Sequence, residues 1–248
     1  MKDKKAVTGF DFLVHGFSTI FQPGLKRFVL IPITINILVY AVLFWFSYHV
    51  MGKLIAWVNH FLPHWLEWLD YVLWPLFIFA GLIFLVYTLT IFANIISAPF
   101  NSFLSEKIEL MKTGKKYEGG GWQDSLKAMP RAIHREWCKI KYYLPRALVL
   151  LILSFIPGVN IVSTILWFVF GSWMMAVQYL DYPMDNHRIS FKDMMKKLRG
   201  HFFSSWLFGA AALVASLIPI LNLIAMPASV AGGTLKYLAD HHEASIES

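Results

Sequence analysis

The sequence has little charge and almost no cysteine. Of its 248 residues only 15% are Asp, Glu, Lys or Arg, against roughly 25% in a soluble domain. Cys138 is the sole cysteine, which excludes an internal disulfide and a cysteine-cluster metal site. There is no G-x-x-x-x-G-K-[ST] loop, since Gly114-Lys115 lacks its upstream glycine, so the chain is not expected to draw on ATP of its own. An H-E-x-x-H motif is also missing. His60 and His64 stand four apart, but Pro63 between them argues against one regular helix and for a surface role over a metal site. A bis-histidine haem would need histidines inside the apolar tracts, and only His49 approaches one. No cluster of titratable groups of the kind an enzyme needs is visible. The expectation is a chain without catalytic residues, cofactor or bound metal.

What is abundant is apolar surface, at 57% of residues, recurring along the whole chain. That composition predicts one all-α integral membrane domain over residues 1–248. The start, MKDKKAVTGFDFLVHGF, lacks the short apolar core and small residues of a cleaved signal, so it is expected to remain. The net charge of +7 accompanies no nucleic-acid motif, and its placement is more informative than its size. Residues 1–28 carry five basic and two acidic groups, 105–142 nine and five, and 181–201 five and three. The segment 51–71 has Lys53 against Glu67 and Asp70. The positive-inside rule therefore puts both termini and the two basic loops in the cytoplasm, with 51–71 outside.

Along the chain, residues 8–21 place Phe10, Leu13, Val14, Phe17 and Phe21 at helical spacing, predicting an amphipathic interfacial helix. The tract 28–51 reaches about 36 Å as a helix, enough to cross a hydrocarbon core of about 30 Å. Trp57, Trp65, Trp68, Tyr71 and Trp74 then form an aromatic belt. A second long span, 72–104, ends in NIISAPFNSFLSEKIE, where Asn94, Ser97, Asn101, Ser102 and Glu106 interrupt apolar surroundings. Polar groups at such depth face protein or water rather than lipid.

The cytoplasmic segment 105–142 contains the turn Gly119-Gly120-Gly121 and then a helix bearing Arg131, His134, Arg135 and Lys139 on one face. That face reads either as a solvated or headgroup-facing stripe or as an anion vestibule. Two further apolar tracts, 142–180 and 202–238, are each broken by a similar phrase, SFIPGVN and SLIPILN. Proline removes a backbone donor, and glycine and asparagine tolerate turn geometry, so each tract is expected to be a helical hairpin. The arms before the breaks are short for a bilayer, which leaves full crossing and re-entry both open. Two kinked single helices are disfavoured, since they would put the basic loop 181–201 outside. In the last hairpin Ala225, Ser229 and Gly233 recur every four residues beside Ala228 and Gly232, a face for close packing within the chain or between subunits. The tail His241-His242-Glu243 is expected to be disordered.

QPGLKRFVLIP is the strongest local signal for a ligand. A helix starting near Gly24 would direct the free N–H groups of Gly24, Leu25, Lys26 and Arg27 outward, with two cationic side chains and the positive end of the helix dipole. A tetrahedral dianion suits such a place, and Arg27 could bind it through two parallel hydrogen bonds. The plainer alternative is a basic helix end that sets topology and touches lipid phosphates.

At PGLKRFVLIP, YTLTIFANIISAPFNSFLSEKIE and SFIPGVN the chain resembles the CysZ family of bacterial inner-membrane sulfate transporters, over about residues 8–240. The resemblance implies sulfate uptake for cysteine synthesis, two long spanning helices with pairs of hemi-penetrating helices, and homo-oligomers in membrane lipid. The family's Gly-Leu-Arg sulfate-binding signature falls on Gly24, Leu25 and Lys26, followed by Arg27. Lys26 departs from it, offering a point charge in place of a planar fork, so bidentate binding would pass to Arg27. For a translocation path the resemblance implies the stretch holding Asn94, Ser97, Asn101 and Glu106, with Arg131 and Arg135. A non-transporting membrane scaffold is the alternative.

Overall fold

The computed structural model describes residues 8–61, 75, 76, 79, 81, 83, 100–114 and 122–246, and every element among them is a helix. The chain divides into two compact units, Leu30–Pro99 and the remainder. The smaller unit holds most of α2 (Lys26–Phe61), which runs on as helix past Met51 where a loop was expected. Its Lys26–Phe46 portion is long and apolar enough to cross a membrane. Ile37, Leu38, Phe44 and Trp45 are each at least 60% exposed, an arrangement that water would not tolerate and lipid requires. The expected span 72–104 and the triple-glycine turn lie largely outside the described residues.

The larger unit contains α1 (Gly9–Ile20), α3 (residues 100–113), α4 (Trp122–Ser154), α5 (Asn160–Asn186), α6 (Phe191–Gly200), α7 (Phe202–Leu217) and α8 (Pro219–Ile246). Thr8 and Asp11 start α1 with a reciprocal capping box: the Thr8 N–H donates to Asp11 Oδ2 at 2.8 Å, and the Asp11 N–H to Thr8 Oγ1 at 3.4 Å. The amphipathic helix expected over 8–21 forms as α1, with one face packed on the unit. Leu13 and Ile20 are buried against the unit, whereas Phe10, Val14 and Phe21 stay about half exposed.

Both broken tracts are hairpins. In the first, α4 and α5 flank a turn at 155–159 in which Gly158 takes φ +85°, a conformation that favours glycine. Cross-pairing from Trp173 Nε1 to the Tyr142 hydroxyl at 3.1 Å, and from Trp167 Nε1 to Ser154 Oγ at 3.1 Å, fixes the arms antiparallel. In the second, Ile218 alone separates α7 from α8, and Pro219 occupies the first helical position, where its missing N–H costs nothing. Between the hairpins Ser190 caps α6, accepting from the Asp193 N–H at 3.1 Å. α6 buries Met194, Met195 and Leu198, and its axis turns by 101° at His201 into α7. α5 is itself long and apolar enough to cross a membrane.

Small residues bring these helices to backbone contact. A Cβ added at Gly16 would lie 2.2 Å from the Ala228 carbonyl oxygen, and one at Gly209 only 1.9 Å from that of Ser172. The small-residue face of α8 thus packs within the chain, with Gly232 against Phe12 of α1 and Gly233 against Tyr179 of α5. The histidine tail is not disordered: α8 continues to Ile246, and His241 Nε2 lies 2.7 Å from the Tyr237 hydroxyl.

Candidate anion site and buried polar seam

The chain leaves α1 through residues 21–25 and enters α2 at Lys26, two residues later than expected. Gly24 has φ +88°, and a Cβ there would meet no heavy atom within 4 Å, so the backbone reversal, not clearance, requires the glycine. Leu25 departs from the expectation of an open N–H. Its amide donates to the Gln22 carbonyl at 3.2 Å and its side chain is fully buried, anchoring the loop to the unit. The amides of Gly24, Lys26 and Arg27 have no backbone acceptor among the described residues. Lys26 and Arg27 are exposed and pair with no carboxylate there; the Arg27 guanidinium lies 4.9 Å from the Phe28 ring centroid. Backbone donors, a helix dipole and two unneutralised cations therefore coincide at one exposed corner.

The basic face of α4 is divided: Arg135 and Lys139 are buried, Arg131 is partly exposed and His134 is exposed. Arg135 and Lys139 are each 5% exposed. Arg135 Nε donates to Asp181 Oδ1 at 2.8 Å and Nη2 binds the same oxygen, while Lys139 Nζ holds Asp181 Oδ2 at 2.8 Å. One turn on, Arg131 Nε lies 3.1 Å and Arg135 Nε 3.4 Å from Asp185 Oδ1. A third contact from Arg135, Nη1 to the Ile189 carbonyl, ties the cluster to the start of the α6 connection. His134, on the same helix, is exposed and lies near Cys138 with Nε2 at 3.6 Å from the sulfur. Burial works against the Lys139 ammonium, but Asp181 and then Glu136 outweigh it and hold its pKa above the ordinary lysine value.

Asp181 and Asp185 escaped sequence reasoning. They repeat at four-residue spacing, as do Arg131, Arg135 and Lys139, and an antiparallel hairpin sets the two series face to face. That complementarity was the available signal.

The seam continues through α5 to α3. Lys139 Nζ donates to Gln178 Oε1 at 3.3 Å and lies 5.9 Å from the Tyr182 ring centroid; the Tyr182 hydroxyl accepts from Asn101 Nδ2 at 3.3 Å. Asn186 Nδ2 donates to the Ser102 carbonyl at 3.2 Å, and Glu109 Oε1 is 2.8 Å from His187 Nε2. The hydroxyls of Ser105 and Thr234 meet at 2.8 Å, joining α3 to α8. Of the residues expected to line a path, Asn101, Arg131 and Arg135 come into this one seam, and Glu106 sits half-buried on α3 beside it in sequence. Asn94 and Ser97 lie outside the described residues. No group of three or more metal-ligating side chains occurs among the described residues.

Over residues 12–227 the chain matches the family described as sulfate transporter CysZ/etoposide-induced protein 2.4. It is 46% identical over 242 residues to the sulfate transporter CysZ of Pseudomonas aeruginosa strain PAO1, covering 97% of this chain and 98% of that protein. With the sulfate transporter CysZ of Pseudomonas syringae pv. tomato strain DC3000 it shares 44% identity over 239 residues, covering 95% and 93%. An all-helical membrane fold, the sequence motifs and near full-length similarity agree, and the chain belongs to the CysZ/etoposide-induced protein 2.4 family.

Proposed function

We propose that the protein carries sulfate across the bacterial inner membrane, feeding sulfate assimilation and cysteine biosynthesis, without making or breaking covalent bonds and without a cofactor. The observation that carries this reading is 46% identity over 97% of the chain to a protein named as a sulfate transporter. Charge placement supports a multi-pass topology with both termini cytoplasmic. Homo-oligomers, surrounded by membrane lipid, are the proposed assembly.

Sulfate is proposed to bind at Gly24, Leu25, Lys26 and Arg27. There the free amides of Gly24, Lys26 and Arg27 replace part of its hydration, Lys26 contributes a point charge and Arg27 a planar fork. Leu25 serves by holding the loop. The corner is exposed, so binding is moderate and release is possible, as conduction requires. The translocation path is proposed to use Asn94, Ser97, Asn101, Glu106, Arg131 and Arg135. Because Arg131 and Arg135 already face carboxylates, sulfate passing them competes with Asp181 and Asp185 for the same guanidinium donors.

Radiolabelled sulfate uptake into liposomes containing only this protein tests the reading, with and without a pH gradient. Uptake above empty liposomes is expected, falling about tenfold or more in Arg27→Ala as a charge-assisted contact is lost. Uptake indistinguishable from empty liposomes under both conditions overturns transport, and unchanged uptake and sulfate affinity in Arg27→Ala overturns the site. Insensitivity to the gradient indicates a channel, and dependence on it indicates proton coupling.

A further inference from the structure

On the face of the first hairpin, α4, α5, α6 and α7 enclose an open groove of about 700 Å³. Its lining is polarised. Among the described lining residues Arg146 of α4 and Arg199 of α6 carry the full charges, and the rest are aliphatic or aromatic, with the Tyr142 hydroxyl and two indole N–H groups as their polar atoms. Both arginines are exposed, and neither pairs with a carboxylate among the described residues. The Arg146 guanidinium is held in place: Nη1 donates to the Tyr142 carbonyl at 2.6 Å, and its central carbon lies 3.7 Å from the Tyr142 ring centroid. Its remaining donors have no acceptor among the described residues, so a fixed fork is presented without a counter-ion.

Beyond the arginines the groove is walled by Val149 and Leu150 of α4 and by Leu166 and Val169 of α5. Val149 is 57% exposed and the neighbouring Ile165 61%, an apolar surface suited to lipid. Trp206 closes the side, its indole N–H donating to the Val169 carbonyl at 3.0 Å. Trp173 and Phe202 meet with ring centroids 5.1 Å apart and planes tilted by 31°, and Trp173 also donates to the Tyr142 hydroxyl beside the Arg146 guanidinium. From Arg146 to the end of α4 at Ser154 the helix rises about 12 Å, close to one leaflet's share of a hydrocarbon core of about 30 Å. Cations set among aromatic rings at one end and an aliphatic channel of leaflet depth beyond them match the headgroup and acyl parts of a phospholipid. A diffusible inorganic anion would have no use for the channel, and a neutral headgroup would leave two cations uncompensated.

We infer that this groove is a binding site for one anionic phospholipid, with its phosphodiester between Arg146 and Arg199 and an acyl chain along Val149, Leu166 and Val169. The site lies apart from the Gly24–Arg27 corner and does not depend on which ion is transported.

Native mass spectrometry of the full chain, released from detergent and titrated with dioleoyl phosphatidylglycerol or dioleoyl phosphatidylcholine, tests the proposal. One phosphatidylglycerol per chain is expected, held about tenfold or more tighter than phosphatidylcholine, given about one order of magnitude from two interfacial arginines. Arg146→Ala with Arg199→Ala should remove that preference, and the double lysine replacement should keep most of it. Val169→Trp should obstruct the channel and lose phosphatidylglycerol with both arginines intact, which decides the matter even if the alanine variant fails to fold. Equal retention of the two lipids, or an undiminished preference in the alanine variant, overturns the proposal. So does full displacement of the lipid by excess inorganic phosphate, which would make this a free-anion site. A dimer that Val169→Trp dissolves, with no lipid retained by the native chain, would assign the groove to a second copy and overturn it equally.

Discussion

Arg135 on α4 and Asp181 on α5 are 46 residues apart in sequence, and each side chain is only 7% exposed where they meet. Isolated in such a place either charge would be prohibitively desolvated; paired, and shared with Lys139, they are tolerated. Arg135→Ala should destabilise the protein by about 3–5 kcal/mol, because it leaves Asp181 buried with a weaker set of partners. Thermal unfolding in detergent reads this directly. Adding Asp181→Ala should recover part of the loss, and a double variant no better than the sum of the singles would show that the pair is not coupled.

Backbone contact between α5 and α7 makes Gly209 intolerant of any side chain. A methyl group placed 1.9 Å from the Ser172 carbonyl oxygen forces the helices apart rather than displacing a flexible side chain. Gly209→Ala should cost about 1–3 kcal/mol or more despite alanine's better helix propensity. A Gly200→Ala control, where the added Cβ meets nothing within 4 Å, should be nearly neutral in the same unfolding assay.

Depth of the first hairpin follows from its tip. Phe155 is 79% exposed and Ile161 72%, and most of the turn's amides are paired within it, Phe155 donating to Ile152, Ile156 to Leu153, and Val159 and Asn160 to Ile156. An apolar turn with a largely internally paired backbone is suited to hydrocarbon. A spin label at Pro157 should therefore be accessible to oxygen and shielded from a polar nickel chelate, as a re-entrant hairpin requires. Strong collision with the chelate added outside would place the tip in water and make the hairpin a full crossing.

His241 couples α8 to α6, its Nε2 lying 3.4 Å from Lys197 Nζ. Burial, then the charges of Lys197 and His187, outweigh Asp240 and Glu109 and lower its pKa from the ordinary 6.5. The folded protein thus binds this proton less readily than the unfolded chain does. Its contribution is complete above pH 6.5 and is lost as pH falls from there through the lowered value. Amide exchange near the end of α8 should quicken, relative to the rest of the helix, at about pH 5 compared with about pH 7.5, and His241→Asn should flatten that dependence.

Proline, glycine and asparagine inside apolar tracts are local signals, and they marked both hairpin turns from sequence. At the start of α1 a further local signal, Thr8 and Asp11 three residues apart, was present but unused, the bound having come from apolar periodicity. Burial of the α4 basic face was less legible, because a charge's environment depends on partners that are remote in sequence. Arg135 reads as solvated until the hairpin register brings Asp181 to it. At the anion corner the residue types were legible, but the start of α2 at Lys26 and the use of the Leu25 amide within the turn depend on how α1 docks. The stretch Asn94–Ser97 lies outside the described residues, and its place in a path rests on sequence.

α5 meets α7 and α8 backbone to backbone at Gly209 and Gly233, whereas the polar links described from α4 to α5 are made by side chains: guanidinium to carboxylate, indole to hydroxyl. Helices joined through glycines have no slack in which to slide, while side-chain pairs can exchange partners without repacking a core. The fold therefore divides into a keel of α1, α5, α7 and α8 and an arm, α4, held to it by replaceable ionic and polar links with a glycine-bearing joint at 155–159. Loosening those links would release α4 from α5 without breaking a backbone contact of this kind, so among these helices α4 is the one expected to respond first when Arg131 or Arg135 loses its aspartate.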